Sequence, residues 1–238
     1  MACLRFVPVF CIFIGNKQGH LMEVKLLIFL FQCTMAIFVI LNPFGNVPIV
    51  LSLTSGLTPA ERKSVVLRSS LTALIILLLF ALAGQFIFDI FHITIGAFRI
   101  AGGILLFIIC LSMTRGELPK SKITPQETEE ASSKADVAIT PLGTPMMAGP
   151  GSIATVIGLM DQARNWNYKG MVLLSIPIAV LVGYILLRFG SFLMSKMGPA
   201  GLRVVTRMMG LILAVIAVQF VILGIRDALP QILKHSIH

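Results

Sequence analysis

Apolar residues fall in six blocks along this chain: Leu26 to Leu41, Leu71 to Phe88, Ile100 to Met113, Val137 to Met160, Met171 to Leu187 and Val204 to Ile225. Wound as a helix, about twenty apolar residues match the ~30 Å hydrocarbon core of a bilayer. Backbone polar groups in hydrocarbon must be satisfied within the protein, and none of these blocks alternates with the period of two that a membrane barrel needs. The pattern therefore predicts an all-α, polytopic membrane protein with six transmembrane helices.

Two blocks are interrupted. The first runs through Asn42-Pro43-Phe44-Gly45-Asn46-Val47-Pro48 and resumes as Ile49 to Leu53, while the fourth contains Thr140-Pro141-Leu142-Gly143-Thr144-Pro145. A proline inside a helix costs ~3 kcal/mol, and each motif carries two, so each span is expected to break. Asn and Thr cap helix N-termini and Pro suits the first turn. New half-helices are thus expected at Asn46-Val47-Pro48 and Thr144-Pro145, with Asn42-Pro43 and Thr140-Pro141 as alternatives one turn earlier. Gly149-Pro150-Gly151-Ser152 supplies a further unwound point.

The two motifs share an order: a capping residue, Pro, an apolar residue, Gly, a second capping residue and Pro. A second echo links Arg99-Ile100-Ala101-Gly102 with Arg207-Met208-Met209-Gly210. Three spans per half force the halves into opposite orientations, the inverted repeat of many secondary transporters. The expected organisation is an N-terminal extension over 1–21, a first repeat over 22–113, a cytoplasmic linker over 114–136 and a second repeat over 137–238. In the extension, Phe6 to Ile14 is too short to span and no small-residue cleavage site follows, so a start at Met22 is preferred over a re-entrant or interfacial segment. Repeated breaks favour a binding site over kinks made only for packing. The site expected from them comprises Asn42, Pro43, Gly45, Asn46, Thr140, Pro141, Gly143, Thr144, Gly149 and Gly151.

Composition agrees with the membrane reading. Hydrophobic residues make up 57% of the 238 and charged ones 12%, against roughly 25% charged in soluble domains. The net charge of +9 would suggest nucleic acid in a soluble protein, but the Lys and Arg residues lie mainly between apolar blocks, where they orient helices. With the first twenty-one residues set aside, Lys25, Arg164, Lys169, Arg226 and Lys234 fall on one face. The other takes Arg62, Lys63, Arg68, Arg115, Lys120, Lys122, Lys134, Arg188, Lys196 and Arg203. The richer face is expected to be cytoplasmic, which puts both termini outside the cytoplasmic membrane.

Polar residues near the spans have bland readings. Arg99 and Arg207 are expected to snorkel to the interface, with a symmetric gating or substrate role as the alternative. Asp89 and His92 are expected to be solvated, with proton shuttling as the alternative. Gln85 and Gln219 either bond across helices or line a cavity. Gly102, Gly103, Gly210 and Gly224 are expected to let helices approach closely. Cys3, Cys11, Cys33 and Cys110 show no metal or redox spacing and read as packing residues. No GxxxxGK[ST] or HExxH motif is present, which argues against a primary pump or a zinc hydrolase. No catalytic residue, metal or cofactor is expected.

With these motifs in view, the chain resembles the MarC family of integral membrane proteins, often grouped with LysE-type exporters. The resemblance rests on Asn42 to Pro48, Phe98-Arg99-Ile100-Ala101-Gly102-Gly103-Ile104-Leu105, Pro141 to Pro145 followed by Ala148-Gly149-Pro150-Gly151, and Arg207-Met208-Met209-Gly210-Leu211. It covers Met22 to Leu229 and implies six transmembrane helices. Some members are described as transporters of small neutral amino acids such as glycine or alanine. The expected function is such a secondary transporter, coupled to a proton or sodium, with export of another small metabolite as the alternative.

Overall fold

The computed structural model describes residues 18–54, 56–115, 147–163 and 165–235. Among these residues every regular element is helical: α1 (Gln18–Leu41), α2 (Pro43–Leu53), α3 (Pro59–Ile90), α4 (Ile95–Arg115), α5 (Pro150–Gln162), α6 (Trp166–Arg188) and α7 (Gly190–His235). Among the described residues, five segments are long and apolar enough to cross a membrane: Glu23–Leu53, Pro59–Ile90, Ile95–Arg115, Trp166–Arg188 and Ala200–Leu229. Six were expected. The fourth expected block is represented by α5, whose 13 residues reach only about 20 Å, and its residues 137–146 lie outside the described ones.

Local chemistry accounts for the helix ends. Thr58 caps α3 in a reciprocal box with Glu61, satisfying two orphan N–H groups at once. In α7 the backbone breaks at Gly198, where φ is 67°, a conformation open to glycine and strained for other residues. The outer faces are apolar, as lipid requires: Leu82, Phe86 and Val215 are each about two-thirds exposed.

Packing fixes relative directions. Phe29 meets Tyr168 edge-on with ring centroids 5.0 Å apart, and a Cβ on Gly183 would lie 3.9 Å from Pro43, so α1 and α2 run parallel to α6. By contrast, Gly96 faces Gly224, Gly103 faces Ala217 and Gly210 faces Cys110, so α4 and α7 run antiparallel. Small residues recur at every seventh position on both partners, Gly96, Gly103 and Cys110 against Gly210, Ala217 and Gly224. Backbone therefore touches backbone: a Cβ on Gly103 would sit 2.7 Å from the Ala217 carbonyl. Without hydrophobic driving force between helices in lipid, such close approach supplies the dispersion contacts that hold them together.

The buried apolar residues divide along the same line. One cluster joins α1, α2, α3, α5 and α6 through residues such as Ile37, Val47, Ala73, Val156 and Ile176. A second joins α4 and α7 through Leu106, Cys110, Met113, Leu213 and Ala217, with Ile40 of α1 against it. The seam between these clusters carries the candidate site.

Candidate functional site

Asn42 is the residue on which the first span breaks. Its backbone is left-handed, φ 47° and ψ 56°, a region that Asn tolerates because its short side chain bonds locally. Its N–H donates back to the Phe38 and Val39 carbonyls at 3.2 Å each, terminating α1. Its side-chain oxygen then accepts from the Gly45 N–H at 3.2 Å, starting α2. One residue thus ends one helix and caps the next, and Pro43 fills the first position of α2. Of the alternatives open at sequence level, the break falls at Asn42-Pro43, and Pro48 lies inside α2.

Gly45 and Asn46 support that break. A Cβ on Gly45 would fall on the Asn42 amide and the Met113 methyl, so any side chain there displaces the cap. The Asn46 amide donates to the Leu41 carbonyl at 2.9 Å, satisfying an acceptor that the end of α1 leaves orphaned. Its side-chain Oδ1 is buried without a hydrogen-bond partner among the described residues.

The second break is described from Met147 onward; Thr140, Pro141, Gly143 and Thr144 lie outside the described residues. Helix α5 starts at Pro150 with Gly149 as its N-cap and no side-chain cap bond. The Ser152 hydroxyl donates to the Met147 carbonyl at 2.9 Å. This repeats the first break: Asn46 and Ser152 each follow a glycine, Gly45 or Gly151, and each reaches the carbonyl five residues back. The sequence pattern pairs Gly45 with Gly143, whereas this shared bonding pairs Gly45 with Gly151.

A small cavity of about 30 Å³ lies between the breaks, lined on one side by Ile40, Asn42 and Gly149 to Ser152, and on the other by Leu105, Leu106, Ile109 and Leu213. Among the described residues no ionisable side chain lines it. Its polar wall consists of the Asn42 break, at the C-terminal end of α1, and the uncapped N-terminal turn of α5. A helix C-terminus carries partial negative charge and an N-terminus partial positive charge; at Asn42 the end of α1 and the start of α2 adjoin, and the start of α5 faces them, so the wall presents both signs without a formal charge on any described lining residue. Of the residues expected at the site, Asn42, Gly149 and Gly151 meet there. Pro43, Gly45 and Asn46 instead build the break. Sequence reasoning did not single out Leu105, Leu106, Ile109 and Leu213, because an aliphatic residue lining a small void is indistinguishable in sequence from one facing lipid. Ser152 was visible only as part of its Gly-Pro-Gly-Ser run.

Several polar residues lie elsewhere. Asp89, His92, Gln85, Gln219 and Arg207 are exposed on the helix bundle. Arg99 departs from the snorkelling expectation: it is buried, paired with Asp227 of α7, and lies against Gly158 of α5, whose hydrogen leaves room for the guanidinium.

Comparison with known proteins is consistent with this picture. A family model described as MarC family integral membrane protein matches residues 27–229. A UPF0056 membrane protein of Methanocaldococcus jannaschii is 44% identical over 82% of this chain and 94% of its own length. Others, from Bacillus subtilis and Escherichia coli, are 36% and 34% identical, over 85% and 86% of this chain and 96% and 95% of their own lengths. No solved structure matches.

Proposed function

This chain belongs to the MarC family of integral membrane proteins, and on that premise we propose that it is a secondary transporter of a small neutral zwitterion, with glycine or alanine as substrate. The observation that carries this reading is the cavity between Asn42 and the uncapped start of α5. An N-terminal helix turn attracts a carboxylate and a C-terminal one an ammonium group, and broken helices near the bilayer midplane serve this purpose in known transporter architectures. A net-neutral ligand suits a wall whose described residues carry no ionisable side chain.

The two halves are read as an inverted repeat of three spans each, with α5 belonging to the fourth. Three observations support this. The third spans of the two halves, α4 and α7, run antiparallel. The two breaks share one bonding pattern. The contacts between elements also occur in exchangeable pairs, α3 with α5 answering α2 with α6, and α4 with α5 answering α2 with α7. The expected setting is the cytoplasmic membrane with both termini outside.

At about 30 Å³ the cavity admits roughly two waters, less than the five heavy atoms of glycine. Transport on this reading therefore requires the seam to open, as alternating access does. The test is uptake of labelled glycine and alanine into proteoliposomes, with and without imposed proton or sodium gradients. Saturable uptake with counterflow supports the reading, and the gradient that drives accumulation identifies the coupling ion. Absence of counterflow for every small neutral amino acid overturns it.

A further inference from the structure

The apolar wall of the cavity is unequal. Leu105 is 46% exposed and turned largely outward, whereas Leu106 is only 7% exposed and sits directly over the first turn of α5. Both its methyl groups would stand 3.4–3.5 Å from a Cβ on Gly151. This placement follows from Gly102, one turn earlier on α4, which would place a Cβ only 3.3 Å from Ala154 and 3.4 Å from the Pro150 carbonyl. Glycine at 102 brings α4 down onto α5, and Leu106 is the next residue on that face with a side chain to fill the space.

Resting on the transporter reading above, we infer that Leu106 is the specificity-determining residue of this site: its isobutyl group sets the upper size of the substrate side chain. A ligand whose carboxylate takes the Gly151 and Ser152 turn brings its α-substituent to the apolar wall, where both Leu106 methyls stand over that turn. Once the seam has opened to admit the ligand and closes back on it, a hydrogen or methyl substituent is accommodated by a rotamer change of Leu106. An isopropyl or isobutyl substituent needs the volume that Leu106 itself occupies.

The experiment compares competition by glycine, alanine, valine and leucine against labelled alanine in proteoliposomes. The wild-type protein should favour glycine and alanine. Leu106→Ala should improve valine and leucine relative to glycine by about tenfold, since one methylene in a hydrophobic pocket is worth roughly 10–200-fold. Gly151→Ala, which adds a methyl to the same space at ordinary contact distance, should weaken alanine more than glycine. If Leu106→Ala does not insert, Leu106→Val gives the same reading with a smaller shift. Ratios unchanged while total uptake falls would mean that Leu106 only packs, and would overturn the inference. A wild-type protein that transports no neutral amino acid would instead overturn the transporter reading beneath it.

Discussion

The guanidinium of Arg99 on α4 donates to the carboxylate of Asp227 on α7, joining the two helices whose small residues already bring them into backbone contact. The Arg99 side chain is 11% exposed and that of Asp227 39%, so the two charges depend on each other unequally. Removing Asp227 strands a charge with little access to solvent, whereas removing Arg99 leaves a carboxylate that can rehydrate. Losing one partner of a fully buried pair costs ~3–5 kcal/mol. Asp227→Asn is therefore expected to approach the lower end of that range and Arg99→Met to cost distinctly less. Thermal unfolding in detergent reads the order, and the reverse order would contradict this account of the pair.

Asn42 performs two tasks that substitution can separate. Asn42→Ala loses the cap, worth about 0.5–2 kcal/mol, and also strains the left-handed backbone by roughly 1–2 kcal/mol. Asn42→Gly loses the cap bond but relieves the strain. Stability should therefore fall in the order Asn, Gly, Ala, which denaturation in a fixed detergent can rank. Equal losses for Gly and Ala would mean that the backbone conformation contributes nothing.

The two glycines that follow the breaks should respond differently. Gly45→Ala drives a methyl into the Asn42 amide and Met113, while Gly151→Ala meets Leu106 and Ile40 at 3.4–3.5 Å. Gly45→Ala should cost at least the value of the cap, about 0.5–2 kcal/mol. Gly151→Ala, which meets only ordinary contact distances, should cost distinctly less than Gly45→Ala and show its effect in transport. Parallel melts of the two variants decide the matter.

Opening of the seam requires α4 to leave α5. A Cβ on Gly102 would lie 3.3 Å from that of Ala154, near the ~3.5–4.5 Å spacing of a disulfide. In a chain with Cys3, Cys11, Cys33 and Cys110 replaced, Gly102→Cys with Ala154→Cys should abolish transport when oxidised and recover it on reduction. Transport that is indifferent to the redox state of a bridge confirmed by mass would show that the seam stays closed.

Topology is independently testable. With the basic loops inside, a reporter fused after His238 should be extracytoplasmic and one inserted within residues 114–136 cytoplasmic. A reversed activity pattern would invert the orientation and leave the packing unchanged.

Membrane residence, helical class and family were legible in the chain itself, because they depend on summed properties of long segments: twenty apolar residues in a row, or two prolines in one span, have few alternatives in hydrocarbon. The position of the first break was legible to within a turn, since Asn42-Pro43 and Asn46-Val47-Pro48 are both acceptable helix starts, whereas the second, expected at Thr140 to Pro145, falls outside the described residues. What selected Asn42 was its left-handed backbone beside a glycine with no side chain to obstruct the cap. Tertiary structure alone decided three further things. It buried Arg99 and paired it with Asp227, which lies 128 residues away and is brought to it only by the antiparallel packing of α4 on α7. It paired Gly45-Asn46 with Gly151-Ser152, because the likeness lies in hydrogen bonds to carbonyls five residues back rather than in residue identity. It also separated Leu106 from its outward neighbour Leu105: identical residues one position apart on a helix differ by about 100° in direction, and only the position of α5 determines which of them sits over its first turn.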